Sequence, residues 1–391
     1  MQNKYANRLK KPSIAICQPY IILGGRLQVI LGIVRALNNL GIEPDILTAG
    51  TSFSPEKIAA SYGQDLRFKF RFIQQHLPWK LLFLDYQVAL FNRGLEKIAS
   101  QYDLLIDSGN SQLFLPTSIP VISYIHFPSE YLLQMKNLSL HIPDNQMSYP
   151  LFRKLARSFI RPVYRRYSQF VPGRTVICNS KYTESAFCEM FPDATGSTRI
   201  IYPPVALNQY RSKPGLRENS VVSLGRFAPD KGQLKQIRLA ESLPGLEFHF
   251  MGFVNSLKYF QACQVYVSKN KLTNVHLHPD IPFFEMITLM KTARYFLHTM
   301  HNEHFGITAV QAVATGCLPV VHDSGGQKET VPFDELRYIS LDQVTGIIES
   351  LERKPVEDLN RMVYELQQNA EHNFEESVFT RRFMELLNEI L

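Results

Sequence analysis

Short apolar runs alternate with helical spacing along most of the chain. Ser13–Cys17, Ile42–Thr48, Phe68–Ile73, Asp103–Asp107, Val121–Ile125 and Arg174–Asn179 have the length and composition of buried strands. The segment after Gly24-Gly25, to about Leu40, and the segment Phe83–Ser100 place apolar residues at helical spacing. Ser180 stands where a helix N-cap is expected. The pattern then restarts. Strands are predicted at Ser220–Leu224, Leu246–Met251, Val275–His278 and Tyr295–His298, with helices from Gln233 and over Phe283–Lys291. From Leu341 the chain reads as mostly helical. Between the halves lies Pro203-Pro204, which continues neither a helix nor a central strand and marks a hinge. Strand–helix alternation of this kind builds parallel sheets covered by helices on both faces, with ligands at the carboxyl ends of the strands. The halves share architecture, not sequence.

The stretch from Asn302 to Val321 combines all these signals. A short polar loop carries Glu303. A helix is predicted from near Phe305, with Ile307, Val310 and Val313/Ala314 on its buried face. Gly316 closes it, and Leu318–Val321 is a buried strand. The first turn of such a helix has unpaired N–H groups and a partial positive charge, which suits a phosphate. That places Phe305, Gly306, Ile307 and Thr308 at an anion site. Glu303 just outside can accept hydrogen bonds from sugar hydroxyls, and Gln311 lies about 12 Å beyond it along the helix.

Other strand ends carry candidate chemistry. Arg226 and Lys231 flank one Gly/Pro loop, so both cations can converge on a single anion. Gly24 and Gly25 follow the first strand and permit close backbone approach, without forming a dinucleotide fingerprint. His126 and Asp107 each end a strand, and Gly325-Gly326 follow another. His298, His301, His304 and His322 cluster in sequence, but their spacing fits no HExxH pattern and no metal is assigned to them.

Composition limits the partners. With 391 residues, 45% of them hydrophobic, the chain is long enough for two domains. No apolar run approaches the length of a membrane span. Neither a signal core nor a cleavage site opens the sequence, so a cytoplasmic location is expected. Five scattered cysteines read as reduced core thiols. The net charge of +7 favours anionic partners, while no nucleic-acid motif is visible. In the segment 151–174, Phe152, Leu155, Phe159, Val163 and Tyr167 keep helical spacing, and arginines and Lys154 fill the other face. That face is a candidate for peripheral contact with the inner face of a membrane; a solvated basic helix is the alternative.

The run Asn-Glu-His-Phe-Gly-Ile at 302–307, the Ser-Gly-Gly at 324–326, the Gly-Arg…Lys loop at 225–231 and Tyr-Ile-His-Phe-Pro at 124–128 together resemble the retaining glycosyltransferases of family 4. The flavour is that of the GDP-mannose-dependent α-mannosyltransferases acting on lipid-linked oligosaccharides. The resemblance implies an α/β protein of the GT-B fold: two Rossmann-like, doubly wound parallel-sheet domains with a cleft between them. Residues 1–203 would form the acceptor domain and 204–373 the donor domain, with 374–391 returning to the first.

The activity implied is transfer of a hexose, mannose favoured, from a nucleotide diphosphate sugar to a glycan or lipid-linked acceptor, with no metal or other cofactor. Glu303 would orient the sugar hydroxyls and His126 would border the anomeric carbon. Arg226, Lys231 and the 305–308 backbone would hold the diphosphate, and the Gly24-Gly25 loop would face it. Asp107 would sit on the acceptor side. The resemblance departs at Gln311, where the family carries a second glutamate expected to hold the ribose. The alternative is therefore a sugar-nucleotide-binding subunit without turnover.

Overall fold

The computed structural model describes residues 11–21, 24–51, 54, 66–73, 91–109, 119–128, 171–212 and 217–391. These fall into two compact units. The first comprises the described residues up to 128, then 171–204 and 376–391; the second comprises the described residues of 205–375.

The strands of the first unit are β1 (Ile14–Cys17), β2 (Tyr20–Ile21), β3 (Asp45–Thr48), β4 (Gly50–Thr51), β5 (Lys69–Phe72), β6 (Leu104–Asp107), β7 (Val121–Ile125), β8 (Thr175–Cys178) and β9 (Thr198–Ile200). Seven of them form one parallel sheet in the order β5-β3-β1-β6-β7-β8-β9, and β2 pairs with β4 separately. Both faces are covered, which is why the strands are continuously apolar instead of alternating. Along β1, Ile14 and Ile16 enter the core shared with the Gly25–Asn39 helix, while Ala15 and Cys17 enter the opposite core with Phe91 and Leu95. Direction reverses between β1 and β6, so their carboxyl ends flank the switch point of this sheet.

The C-terminal helix Glu376–Ile390 lies in the first unit. Its Phe379, Phe383, Leu386 and Leu387 join the core of the Gly25–Asn39 helix. Gly32 makes this approach possible, because a Cβ there would come within 2.8 Å of Pro204 and 2.9 Å of Phe379. An Arg35–Glu376 ion pair ties the two helices at their edge.

The second unit contains β10 (Glu218–Leu224), β11 (Glu247–Gly252), β12 (Val275–Pro279), β13 (Ala293–His298), β14 (Leu318–His322) and β15 (Arg337–Tyr338). They form a parallel sheet in the order β12-β11-β10-β13-β14-β15. Its switch point lies between β10 and β13, and the loops leaving those two strands carry Arg226–Lys231 and Thr299–Glu303. Arg217 braces the far end of the sheet. Its guanidinium donates to the carbonyls of Lys291, Ala293 and Thr315, where the helices Phe283–Thr292 and Ile307–Thr315 terminate.

Three expectations change in detail. The strand expected from Ile42 starts at Asp45, because Ile42 N–H bonds back to Leu37 and closes the preceding helix through Gly41. The helix expected near Phe305 starts at Ile307, because Gly306 adopts a left-handed φ of 100°. Of the segment 83–100, residues 91–96 are helical and 83–90 lie outside the described residues, as do 151–170 of the basic segment.

Phe383 is fully buried and stacks on Phe379. Phe383→Ala is expected to cost about 3–5 kcal/mol in urea unfolding. An unchanged unfolding midpoint would mean that the C-terminal helix adds nothing to this core.

Candidate active site

At the switch point of the second sheet, two loops are brought into direct contact. The loop after β10 is pinned by Gln233, whose amide donates to the Gly225 and Arg226 carbonyls at 3.3 and 2.8 Å. It ends in a single turn, Pro229–Lys231, before the Gln233–Ala240 helix. Thr299, just past β13, donates to the Lys231 carbonyl and accepts from Gln236. The backbone position of Lys231 is thereby fixed against the neighbouring strand end.

From there the Lys231 ammonium reaches Glu303 Oε2 at 2.8 Å and Met300 Sδ at 3.1 Å. Glu303 Oε1 accepts from the His304 backbone N–H at 3.1 Å. His298, the last residue of β13, places Nε2 3.4 Å from Glu303 Oε2, and its Nδ1 lies 2.6 Å from Gln327 Nε2. Burial raises the Glu303 carboxyl, but the Lys231 charge and the His298 contact outweigh it and hold the group well below the ordinary carboxylate range. Burial lowers His298 below the usual imidazole value, and Lys231 adds to this despite the opposing Glu303 contact. At neutral pH Glu303 is thus a carboxylate and His298 a neutral imidazole.

The loop bearing Glu303 is held from behind by the Ser324-Gly325-Gly326 turn. Ser324 Oγ accepts from Asn302 N–H at 2.7 Å, and Gly326 N–H donates to the Glu303 carbonyl at 2.8 Å. A Cβ on Gly325 would stand 2.2 Å from the Glu303 carbonyl oxygen, and one on Gly326 the same distance from that of His304. These two glycines therefore admit the Glu303 loop.

Ile307 and Thr308 open the Ile307–Thr315 helix, so their N–H groups belong to the turn that lacks intrahelical partners. The Phe305 side chain is buried and packs edge-on against Phe374. Arg226 is half-buried and pairs with Asp230 at 2.7 Å. Gln311 is 5% exposed, and its amide nitrogen donates to the Tyr210 hydroxyl at 2.9 Å.

In the first unit, His126 follows β7, and its Nε2 lies 3.1 Å from Ser108 Oγ, just beyond β6. Asp107 is fully buried and accepts from Gly109 N–H at 2.8 Å. Gly24, with φ 139°, precedes the helix that starts at Gly25. Among the described residues, no three His, Cys, Asp or Glu side chains are grouped as a metal ion would require. Also among them, no helix is long and apolar enough to cross a membrane.

Sequence reasoning missed His298 as a partner of the carboxylate, Gln327 as the partner of His298, and Tyr210 as the partner of Gln311. The strand-end position of His298 was a usable signal. Tyr210 lies 101 residues from Gln311, and no local pattern links them.

The architecture and this loop constellation agree with two family models. "Glycosyltransferase Family 4" matches residues 23–209, and "Glycosyl transferases group 1" matches 208–354. Between them they run without a break through most of the chain. The chain belongs to the family 4 glycosyltransferases. Its fold is GT-B, each sheet supplying one Rossmann-like domain.

Curated relatives of this glycosyltransferase include the "GDP-Man:Man(3)GlcNAc(2)-PP-Dol alpha-1,2-mannosyltransferase" of Homo sapiens. It is 28% identical over 58% of this chain and 52% of that one. The Dictyostelium discoideum protein of the same name is 24% identical over 69% and 59%. The chain thus spans between half and three-fifths of the length of these relatives. Solved structures with the same fold include Anabaena HepE in complex with UDP and glucose, at a TM-score of 0.69 and 16% identity, covering 97% of this chain and 100% of that one. Sucrose-phosphate synthase from Thermosynechococcus elongatus aligns at a TM-score of 0.72 and 14% identity, covering 97% and 99%.

A carboxyl depressed in the folded protein contributes stability above its unfolded value and loses it as pH falls through the folded one. The stability gap between wild type and Glu303→Gln, read by chemical denaturation, is therefore expected to be widest near neutral pH. It should narrow as pH falls below the ordinary value of 4.5. A gap that stays constant into acid would mean that Lys231 and His298 do not hold Glu303 ionised.

Proposed function

We propose that this glycosyltransferase moves a hexose, with retention of anomeric configuration, from a nucleotide diphosphate sugar to a glycan or lipid-linked acceptor. The observation that carries the reading is the 2.8 Å contact between Lys231 and Glu303 beside the opening turn of the Ile307–Thr315 helix. A cation, a run of amides and an ionised carboxylate at one switch point match the three parts of a sugar nucleotide. Lys231, Arg226 and the Ile307–Thr308 amides take the diphosphate, and Glu303 takes hydroxyls of the attached sugar. No metal is needed to offset the phosphate charge in this scheme.

Gln311 has a subsidiary place. Its amide nitrogen is committed to Tyr210, so its carbonyl oxygen is the atom that can accept from a ribose hydroxyl. Of the first unit's strand-end groups, the Gly24-Gly25 loop is assigned to the donor diphosphate, His126 to the transferred sugar and Asp107 to the acceptor. GDP-mannose is the favoured donor, because the curated relatives are named for it. Their names also motivate a lipid-linked acceptor.

The reaction breaks the bond between the anomeric carbon and the diphosphate oxygen. As it loosens, positive charge spreads over the sugar ring and negative charge gathers on the departing diphosphate. Lys231 and Arg226 meet that charge as it forms, so they stabilise the transition state more than the bound donor. The acceptor hydroxyl oxygen bonds to the anomeric carbon from the same face, and its proton passes to the leaving phosphate oxygen.

Lys231 and Arg226 are both ion-paired within the chain, so the donor must exchange these partners for its own phosphates. A second reading, a sugar-nucleotide-binding subunit without turnover, is motivated by Gln311. Binding without product formation would select it.

Calorimetry with GDP, UDP and ADP sugars, followed by a product assay with the best binder, tests the reading. Lys231→Ala is expected to weaken donor binding by about tenfold or more, equivalent to about 1.4 kcal/mol. Glu303→Ala is expected to lower turnover by about a hundred- to a thousandfold while the unfolding transition stays cooperative. Near-normal turnover without the carboxylate would remove Glu303 from the reaction.

A further inference from the structure

Lys231 has two claims on it. In the structure it holds the Glu303 carboxylate, whereas on the reading above it serves the donor diphosphate. Once it turns to the phosphate, Glu303 needs a second holder. We infer that His298, fixed by Gln327, is that holder: a positioning residue that keeps Glu303 aimed at the sugar. The inference rests on the transferase reading and adds two residues to it.

The chemistry of the contacts dictates the proton positions. Ionised Glu303 is an acceptor only, so the imidazole nitrogen facing it, Nε2, must carry hydrogen. The neutral ring has a single N–H, so Nδ1 is an acceptor and Gln327 must present its amide NH₂ there, 2.6 Å away. Gln327 is fully buried, and His298 is 4% exposed. Gln327 is anchored by the Gln327–Thr330 turn, in which its carbonyl accepts from Val331 N–H at 2.8 Å. The ring is further constrained by Phe296, 6.2 Å away between centroids, and by Tyr338, whose hydroxyl donates to the His298 carbonyl at 3.0 Å.

The 3.4 Å separation between Nε2 and Oε2 is long for a hydrogen bond. Contacts of this kind commonly stand open in ligand-free sites and shorten when substrate completes them. The titratable groups facing Glu303 are Lys231, His298 and His304, and those facing His298 are Glu303 and Lys231.

The roles differ in what their loss does. Gln at position 298 offers an N–H close to where Nε2 sits, whereas Leu fills the space without a donor. His298→Leu is expected to lower kcat about ten- to a hundredfold, the scale of a misplacement of about 1 Å, with donor Kd nearly unchanged. His298→Gln should recover most of that loss.

The readouts separate the possible failures. Nitrogen-15 NMR of histidine-labelled wild type, with the His298 signal assigned by its absence in His298→Gln, reports the tautomer without any turnover. An Nδ1–H tautomer overturns the inference, as does His298→Leu with unchanged kcat, or a kcat loss that His298→Gln does not rescue. The Nε2–H tautomer in a wild type that binds no sugar nucleotide would overturn the transferase reading and still support the Gln327–His298–Glu303 network.

Discussion

A carboxylate in a nearly closed site is stable only if other groups carry the cost of its desolvation. Glu303 meets that condition through Lys231 at 2.8 Å, His304 N–H at 3.1 Å and His298 at 3.4 Å. Each contact comes from a different structural source: the loop after β10, the backbone of the Glu303 loop itself, and the last residue of β13. The second sheet must therefore keep β10 and β13 adjacent and in register. Pairings such as Val222 with Phe296 supply that constraint. Burial of both strands at their centres makes a slip costly, because it would move the loops past one another and strand the charge.

The glycines of the Ser324-Gly325-Gly326 turn belong to the same logic. Their absent Cβ atoms let two backbones meet, and the meeting fixes Glu303 through its carbonyl and its neighbour's N–H. The strand-end Ser-Gly-Gly run thus acts on the protein's own chain. Sequence carries no information on which backbone comes within 3 Å.

Legibility followed sequence distance. The parallel sheets could be read because strands buried on both faces are continuously apolar, as in Leu104–Asp107 and Val121–Ile125. Loops at strand ends could be read because cations and glycines interrupt those runs, and the structure brings Lys231 and Glu303 into contact across 72 residues. Helix starts were less legible. Phe305 looks helical by pattern, yet Gly306 in a left-handed conformation postpones the first turn to Ile307, which alters which amides are available to an anion. Tertiary hydrogen bonds were not legible at all. The partners of His298 and Gln311 lie on other elements, and their side chains satisfy one another only after the core of the second unit is assembled.

Gln311 shows how burial can choose a residue. Its side chain is almost enclosed, and its amide nitrogen donates to a tyrosine hydroxyl. A glutamate in that place would bring a full charge into the same enclosure. Tyr210 could donate one hydrogen bond to it, but no cation stands beside Gln311 as Lys231 stands beside Glu303 among the hydrogen bonds and ion pairs of the described residues. An isolated buried carboxylate would be pushed toward its neutral form, and would then offer a ligand little that the amide does not. The neutral side chain accepts a hydroxyl with its oxygen and keeps Tyr210 with its nitrogen, at no cost in unpaired charge. In this chain the departure from the family's second glutamate is therefore compatible with donor binding, provided the ribose asks only for an acceptor.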